Sequence, residues 1–370
     1  MFMLWGGGIE FVRYAYKFLK FTYHRTQSIA ECVDCAKFNH ITKSLDLTDK
    51  KLNLVVSHIE KTRFQLNTSF HMTKDLAKYI TEEKDIFTKI KALCKNLDEA
   101  SIELVFRIIS RVKQRYLNPN YQIKFTKEEY LQFEELHTKF FPQIIEIQKD
   151  IWAYKGYFLP IRHFEEGVFF YEHSMDTLSP QTLEKIKEKD IIDVGGFIGD
   201  SAIIFEHKWT NKSIYSFEAA SHNYNLMLQT LKLNESKRII PIQKALGAKR
   251  EILEISISGS CSSIHYKVSE QSEKVEVITL DSYVKENNIE VGFIKVDIEG
   301  FEQEFLKGAM QTIKEQKPAM LISIYHNPSD FFDIKPLIES WDLGYTFKIY
   351  KPANWSVYIE TVLYCEVFDG

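Results

Sequence analysis

Cysteine is scarce in this chain. The five in 370 residues, at 32, 35, 94, 261 and 365, form an odd and scattered set that excludes a disulfide-stapled scaffold and fits a reducing compartment. Cys32 and Cys35 make one Cys-x-x-Cys, but a zinc site would need a second ligand pair, and no redox-type strand pattern surrounds it. Proline (9) and glycine (15) are also sparse, which excludes fibrous and low-complexity classes. Long hydrophobic runs are missing too. The opening Met-Phe-Met-Leu-Trp is too short for a signal-peptide core and is followed at once by Gly6, Gly7 and Gly8. The expectation is therefore a cytoplasmic protein with no transmembrane segment. Charge of one sign is lacking as well: a net charge of -4 with a pI near 6.3 gives no global attraction to nucleic acid, which is not an expected partner.

What is present is apolar and aromatic residue, at 45% and 14%, enough to build a large core. The length suggests two domains, or an enzyme domain with a substantial extension. Up to about residue 150 the pattern is mainly helical. Leu52, Val55, Val56 and Ile59 share a face, as do Leu76, Ile80, Ile86, Phe87, Ile90 and Leu93, and again Ile102, Val105, Phe106, Ile109 and Val112. Thr126 with Glu129 reads as a capping box, and Pro142 should end or kink the helix it opens. No catalytic set assembles in residues 1–150, so an accessory region that could support a homo-oligomer is expected there. The first twenty residues mimic a strand, glycine loop and helix, but no acid ends a convincing second strand about twenty residues later.

A boundary is expected near 150. Short strands are predicted within 154–171, and Ser179 followed by Pro180 should start a helix toward Lys187. Beyond 190, strands alternate with helices, as a parallel sheet covered on both faces requires. Predicted strands are Ile191 to Val194, Ile214 to Phe217, Ile239 to Ile242, Gly292 to Val296 and Ala319 to Tyr325, with closing strands near 346–350 and 360–367. Such sheets bind ligands beyond the carboxyl ends of their strands.

The residues at those ends carry the chemistry. Asp193 closes the first strand, and Gly195, Gly196 and Gly199 form a turn where backbone can approach a ligand that a Cβ would exclude; Phe197 and Ser201 share this loop. Glu218, followed by Ala219, ends the next strand about twenty residues on, where an acid can take both hydroxyls of a ribose. A ribose is common to nicotinamide dinucleotides and S-adenosylmethionine. The loop lacks G-x-G-x-x-G spacing, however, and nothing is arranged for a pyrophosphate, which disfavours an NAD-dependent oxidoreductase.

Lys295, Asp297 and Glu299 alternate onto one side of a strand end. Asp297 could hold an ammonium group, orient an acceptor hydroxyl, or pair with Lys295. A metal on Asp297 and Glu299 would need further oxygen ligands that the sequence does not identify, and no metal site is expected. His326, after the strand that follows, is the preferred general base; its structural alternative is a hydrogen bond to its loop or to Asp330. Cys261 has no adjacent base, and His265 with Ser260, Ser262 and Ser263 falls in a segment that could cover the acceptor pocket.

Together these residues resemble the FkbM family of S-adenosylmethionine-dependent methyltransferases over roughly 155–367. The marks are Asp193-Val-Gly-Gly-Phe-Ile-Gly-Asp-Ser, Phe217-Glu218, Asn223, Ala245-Leu-Gly247, Thr279-Leu-Asp281, Ile294 through Glu302, Gly308-Ala309, Pro318, and Tyr325-His326 with Asp330. The final portion looks like a bacterial branch. The resemblance implies a class I, Rossmann-like α/β domain with a seven-stranded sheet whose last strand is antiparallel. It implies methyl transfer, usually to a hydroxyl of a sugar or other metabolite, so a small-molecule or carbohydrate acceptor is expected. It also implies that Gly195, Gly196 and Gly199 cradle the cofactor, Glu218 takes its ribose, Lys244 and Ala245 flank its adenine, and Asp297 lies near its methionine end. Asp193, Phe197, Ser201 and Ala219 complete the expected cofactor contacts. Two departures stand out: the family often has Ala-Asn where Gly196-Phe197 stand, and proline where Ala219 stands. The expected mechanism is direct displacement with His326 or Asp297 as proton acceptor; the competing reading is a catalytically silent binding or scaffolding protein.

Overall fold

The computed structural model describes residues 71–256, 272–352 and 356–368. Expectations for residues 1–70, and for Ser260, Cys261, Ser262, Ser263 and His265, lie outside them.

Four helices come first: α1 His71–Glu82, α2 Ile86–Cys94, α3 Glu99–Leu117 and α4 Lys127–Glu135. The α3 helix is capped by the Asp98 carboxylate, which accepts from the Ser101 N–H, and α4 by the Thr126–Glu129 box expected of its sequence. In α3 the buried stripe runs through Leu104, Val105, Ile108, Ile109 and Val112. Phe106, assigned to that stripe from sequence, is about half exposed, because it lies 100° round the helix from Val105. Phe87 in α2 is likewise exposed. The helices pack on one edge of the main sheet through α2 against α11 (Pro328–Glu339) and α3 against β12 (Tyr345–Tyr350). Ile349 N–H donates to Ser101 Oγ at 2.9 Å, and Lys89 pairs with Asp333 at 2.6 Å.

A three-stranded antiparallel meander follows: β1 Ile145–Gln148, β2 Ile151–Tyr154 and β3 Tyr157–Leu159. The strands expected as far as Tyr171 stop at Leu159; Glu166–Phe169 is one helical turn, and Gly167 lies inside it. Helix α5, Pro180–Lys187, begins at Ser179, whose hydroxyl accepts from the Thr182 N–H.

The main sheet has the order β12-β13-β11-β10-β4-β5-β6. Its strands are β4 Asp190–Val194, β5 Ile214–Phe217, β6 Ile239–Ile242, β10 Val291–Val296, β11 Ala319–Ser323, β12, and β13 Val362–Val367. Strands β11, β10, β4, β5 and β6 are parallel, whereas β13 is antiparallel to both its neighbours. This is the seven-stranded arrangement with an antiparallel last strand that the resemblance implies. All six residues of β10 are buried, as a central parallel strand covered on both faces requires. A smaller sheet, β7 Ala245–Leu246, β8 Glu251–Ser256 and β9 Ser272–Ile278, stands beside it.

Helices α6 (Asp200–Lys208), α7 (Ser221–Leu233) and α8 (Leu280–Asn287) join these strands. The single helix expected over 301–313 is two, α9 Glu302–Gly308 and α10 Met310–Gln316. The break falls where Gly308 packs on Gly247: a Cβ there would lie 1.9 Å from the Gly247 carbonyl oxygen. Among the described residues no helix is long and apolar enough to cross a membrane.

Candidate functional site

The parallel strands deliver their carboxyl ends to one edge, where a cavity of about 580 Å³ opens. Its glycine wall follows β4. Gly195 has φ +81 and its N–H, with that of Gly196, donates to the Phe217 carbonyl at 3.0 and 2.8 Å. A Cβ on Gly195 would lie 1.8 Å from the Asp297 carbonyl oxygen, so only glycine lets the two strand ends close together. At Gly196 a Cβ would lie 2.1 Å from Ser216 Oγ, so the departure from alanine there is matched by a serine packed behind the loop. Phe197 adopts φ +43, a conformation an asparagine takes more readily, and its ring meets the edge of His163 at 4.8 Å.

Beneath this loop Asp193 is fully buried, accepting from Ser216 Oγ at 2.6 Å and lying 3.3 Å from Lys295 Nζ. Lys295 donates to the Gly195 carbonyl at 2.6 Å. This pairing departs from an Asp297–Lys295 pair. Burial works against the Lys295 charge, but Asp193, Asp297 and Asp200 outweigh it and raise its pKa.

Glu218 forms the next wall. Its Oε2 accepts from the Phe197 N–H at 2.9 Å and Oε1 from the Ala220 N–H at 2.8 Å, and the Asn223 side chain bonds the same carboxylate, which fixes it in place. Burial pushes its pKa up to about 7, against the pull of those two amides and Lys295. Ala219, Lys244, Ala245 and Leu246 continue the wall, with Lys244 tied to Glu276 at 2.9 Å.

The opposite end is acidic, lined by Asp200, Asp297, Glu299, Glu165 and Glu360. Burial, reinforced by Glu165, pushes Asp200 up to about 7; burial also pushes Glu299 up to about 7, against the pull of His326, and raises Asp297. Glu360 is raised well above the ordinary carboxylate range by burial and by Glu165 and Asp297. Ser201 faces the same space and bonds His173 Nε2 at 3.0 Å. Burial and Lys295 push His173 down to about 3, so it is neutral.

Of the residues expected from sequence, the cavity brings together Gly195, Phe197, Ser201, Glu218, Ala219, Lys244, Ala245 and Asp297. Asp193, Gly196 and Gly199 stand behind the loop and shape it; Gly199, at φ +81, packs on Met227 as the cap of α6. His326 is not in the lining. It is 1% exposed, seated behind Asp297, with Nδ1 2.8 Å from Glu302 Oε1 and Nε2 3.3 Å from Asp297 Oδ1 and 3.7 Å from Glu299 Oε2. Burial opposes its charge, yet Glu302, Glu299 and Asp297 raise its pKa well above the ordinary value. A ring so placed cannot touch an acceptor or take its proton, contrary to the base role expected of it. Its partner is Glu302 rather than Asp330, whose carboxylate receives Gln303 and Asn327. Glu165 had no sequence signal and Glu360 was read only as the start of a closing strand in the final stretch of the resemblance; neither was expected at the site, and only folding carries them to the strand ends.

Residues 193–347 match the family model of the methyltransferase FkbM domain. Among solved structures the chain is similar to methyltransferase FkbM from Methylobacillus flagellatus KT, at 17% identity and TM-score 0.50, over 79% of this chain and 60% of that one. The present chain thus corresponds to 60% of that protein's length. Weaker likenesses are an rRNA methylase from Streptococcus thermophilus (12% identity, TM-score 0.32, 51% of this chain and 93% of that one) and TYW2 from M. jannaschii (12%, 0.32, 60% and 90%). No curated protein matches the chain. The fold is that of class I methyltransferases.

Such a domain takes S-adenosyl-L-methionine as its cofactor, and the residues present fit that molecule. The loop at Gly195 offers backbone where a side chain would fill the space. Glu218 presents a fixed carboxylate to hydroxyl donors, and the acidic end suits a ligand carrying a sulfonium and an ammonium.

Proposed function

We propose that this chain, a member of the FkbM methyltransferase family over residues 193–347, methylates a hydroxyl of a sugar, glycan precursor or related metabolite. The supporting observation is the continuity of one cavity from Glu218 and the glycine loop to a wall of carboxylates at Asp297, Glu299, Glu165 and Glu360. A carboxyl accepts hydrogen bonds through its oxygens and, when protonated, donates one as well, and hydroxyl groups can match it in either role.

The bound cofactor supplies an activated methyl group on its sulfonium. The chain's own contribution is alignment, exclusion of water and removal of one proton. Glu218 would hold the ribose hydroxyls of that cofactor. Lys244, Ala245 and Leu246, which continue the Glu218 wall, would flank its adenine. Asp297 would accept the acceptor hydroxyl's hydrogen bond and take its proton as the oxygen–methyl bond forms and the sulfur–methyl bond breaks, with the neutral thioether as leaving group. The Tyr325 hydroxyl, 3.5 Å from Asp297 Oδ2, and His326 behind it position that carboxylate. Residues 151–370 carry this work, and the helical region before them is accessory, although Met72 of α1 reaches the cavity lining.

Purified chain incubated with radiolabelled S-adenosyl-L-methionine and a panel of nucleotide sugars and cytoplasmic metabolites should move label onto an acceptor in an alkali-stable ether. Calorimetry should show binding of S-adenosyl-L-methionine and none of NAD. Absence of S-adenosyl-L-methionine binding would overturn the enzyme reading; label on an amine would overturn the hydroxyl assignment.

A further inference from the structure

Asp297, Glu302 and His326 converge behind the acidic wall, each with a potential ligand atom within 4.8 Å of the others. Two features set this group apart from an ordinary acidic cluster. His326 Nε2 is fully buried and makes no hydrogen bond, although it faces Asp297 Oδ1 at 3.3 Å and Glu299 Oε2 at 3.7 Å. Meanwhile Nδ1 is held at 2.8 Å by Glu302, a carboxylate with no exposure. A carboxylate on one ring nitrogen fixes the tautomer and aims the other nitrogen, which is how proteins prepare a histidine to ligate a metal.

The spacings agree with that use. Two ligands bound at about 2.1 Å to one ion at a tetrahedral angle lie about 3.4 Å apart, and at an octahedral edge about 3.0 Å apart. The separations of 3.3 and 3.7 Å from Nε2 are therefore those of ligands around a common centre, after small side-chain adjustment.

We propose that His326 Nε2, Asp297 Oδ1 and Glu299 Oε2 form a site for one divalent cation, with Glu302 as the outer partner of the imidazole. One imidazole with two carboxylates suits Mn²⁺ or Zn²⁺ better than Mg²⁺ or Ca²⁺, which favour oxygen alone. Asp297 and Glu299 both line the cavity, so the remaining coordination positions face the space assigned to the acceptor, where adjacent oxygen atoms of a substrate or water can fill them. Asp297 Oδ2 stays outside the coordination set. The third ligand that the sequence did not reveal beside Asp297 and Glu299 is a histidine, brought in by the next strand.

The test uses the full chain, stripped with chelator and dialysed against MnCl₂ or ZnCl₂, with bound metal counted by elemental analysis. One ion per chain is expected. The Mn²⁺ spectrum should show hyperfine coupling to an imidazole nitrogen, which adventitious binding to surface carboxylates does not produce. Glu302→Gln should weaken binding by about 10- to 100-fold, as loss of an outer partner does, and His326→Asn should abolish the nitrogen coupling. Should His326→Asn fail to fold, Glu299→Gln, on the cavity wall, must lower metal affinity at least as much as Glu302→Gln. No retained ion at millimolar metal, or binding that all of these variants leave intact, overturns the proposal. Calorimetry with S-adenosyl-L-methionine on the same stripped protein separates the two readings. Cofactor binding without metal binding rejects the ion and keeps the methyltransferase, and metal binding without cofactor binding does the reverse.

Discussion

Glu218 offers the sharpest test of the cofactor end of the cavity. Its carboxyl, pushed up to about 7 by burial, is half protonated near neutrality, whereas accepting two ribose hydroxyls requires the anion. In the free chain the raised pKa means that folding is favoured by the neutral form. That contribution is present below the ordinary glutamate range and lost as pH rises through about 7. Cofactor binding works in the opposite direction, because it stabilises the anion and so strengthens as pH rises through the same window. One pH unit below the pKa, ionising the carboxyl costs about 1.4 kcal/mol, or tenfold in affinity. Calorimetric titration with S-adenosyl-L-methionine should therefore show the dissociation constant falling about tenfold between pH 6 and pH 8. Glu218→Gln keeps the side chain's size but loses the charge-assisted bonds, worth about 1.5–3 kcal/mol each, and one acceptor for the amides of Phe197 and Ala220. The variant should bind at least tenfold more weakly and with a flat pH profile over this window. Asp200 and Glu299 titrate in the same range, so the variant is the control that assigns the slope. A wild-type profile that is flat, or a Gln variant that keeps the wild-type slope, would refute the ribose role.

Other outcomes follow from single contacts. Asp297→Asn removes the proposed proton acceptor while keeping its shape, so label transfer should fall by a factor of about 100 or more while cofactor affinity changes far less; equal losses in both would reject the role. Gly195→Ala drives a Cβ to 1.8 Å from the Asp297 carbonyl oxygen at φ +81, so cofactor binding should be lost and the melting temperature should drop, read by calorimetry and circular dichroism. Lys295→Met leaves Asp193 buried without its cation and should cost about 3–5 kcal/mol in urea unfolding. Ser101→Ala strands the buried Ile349 N–H and should cost about 1–3 kcal/mol in the same measurement, which would show that the helices stabilise the sheet.

Much of the sheet was legible because its signals are local. The five parallel strands appear as short apolar runs, three of them ending at Asp193, Glu218 and Asp297, and glycines at 195 and 199 mark turns that need positive φ. The Thr126 and Ser179 caps were equally readable, since each is completed within three residues. Where the reading failed, a partner distant in sequence had decided the outcome. Gly308 broke an otherwise continuous helical pattern because Gly247 packs on it, and Phe106 left the α3 stripe because only one side of that helix meets the sheet edge.

The candidate site divides along the same line. Backbone approach at Gly195 and the carboxylate of Glu218 belong to single strand ends, so residue type and spacing determined them. His326 was visible as an ionisable residue at a strand end, but its exclusion from the cavity and its clamp by Glu302, Asp297 and Glu299 depend on how β10, α9 and the end of β11 are stacked. Glu165 and Glu360 come from opposite ends of the domain and join the acidic wall solely through long-range packing. Side-chain periodicity and glycine torsions act over a few residues and can be read along the chain. Burial and the sharing of charge among distant carboxylates are properties of the folded volume, and only the tertiary structure decided them.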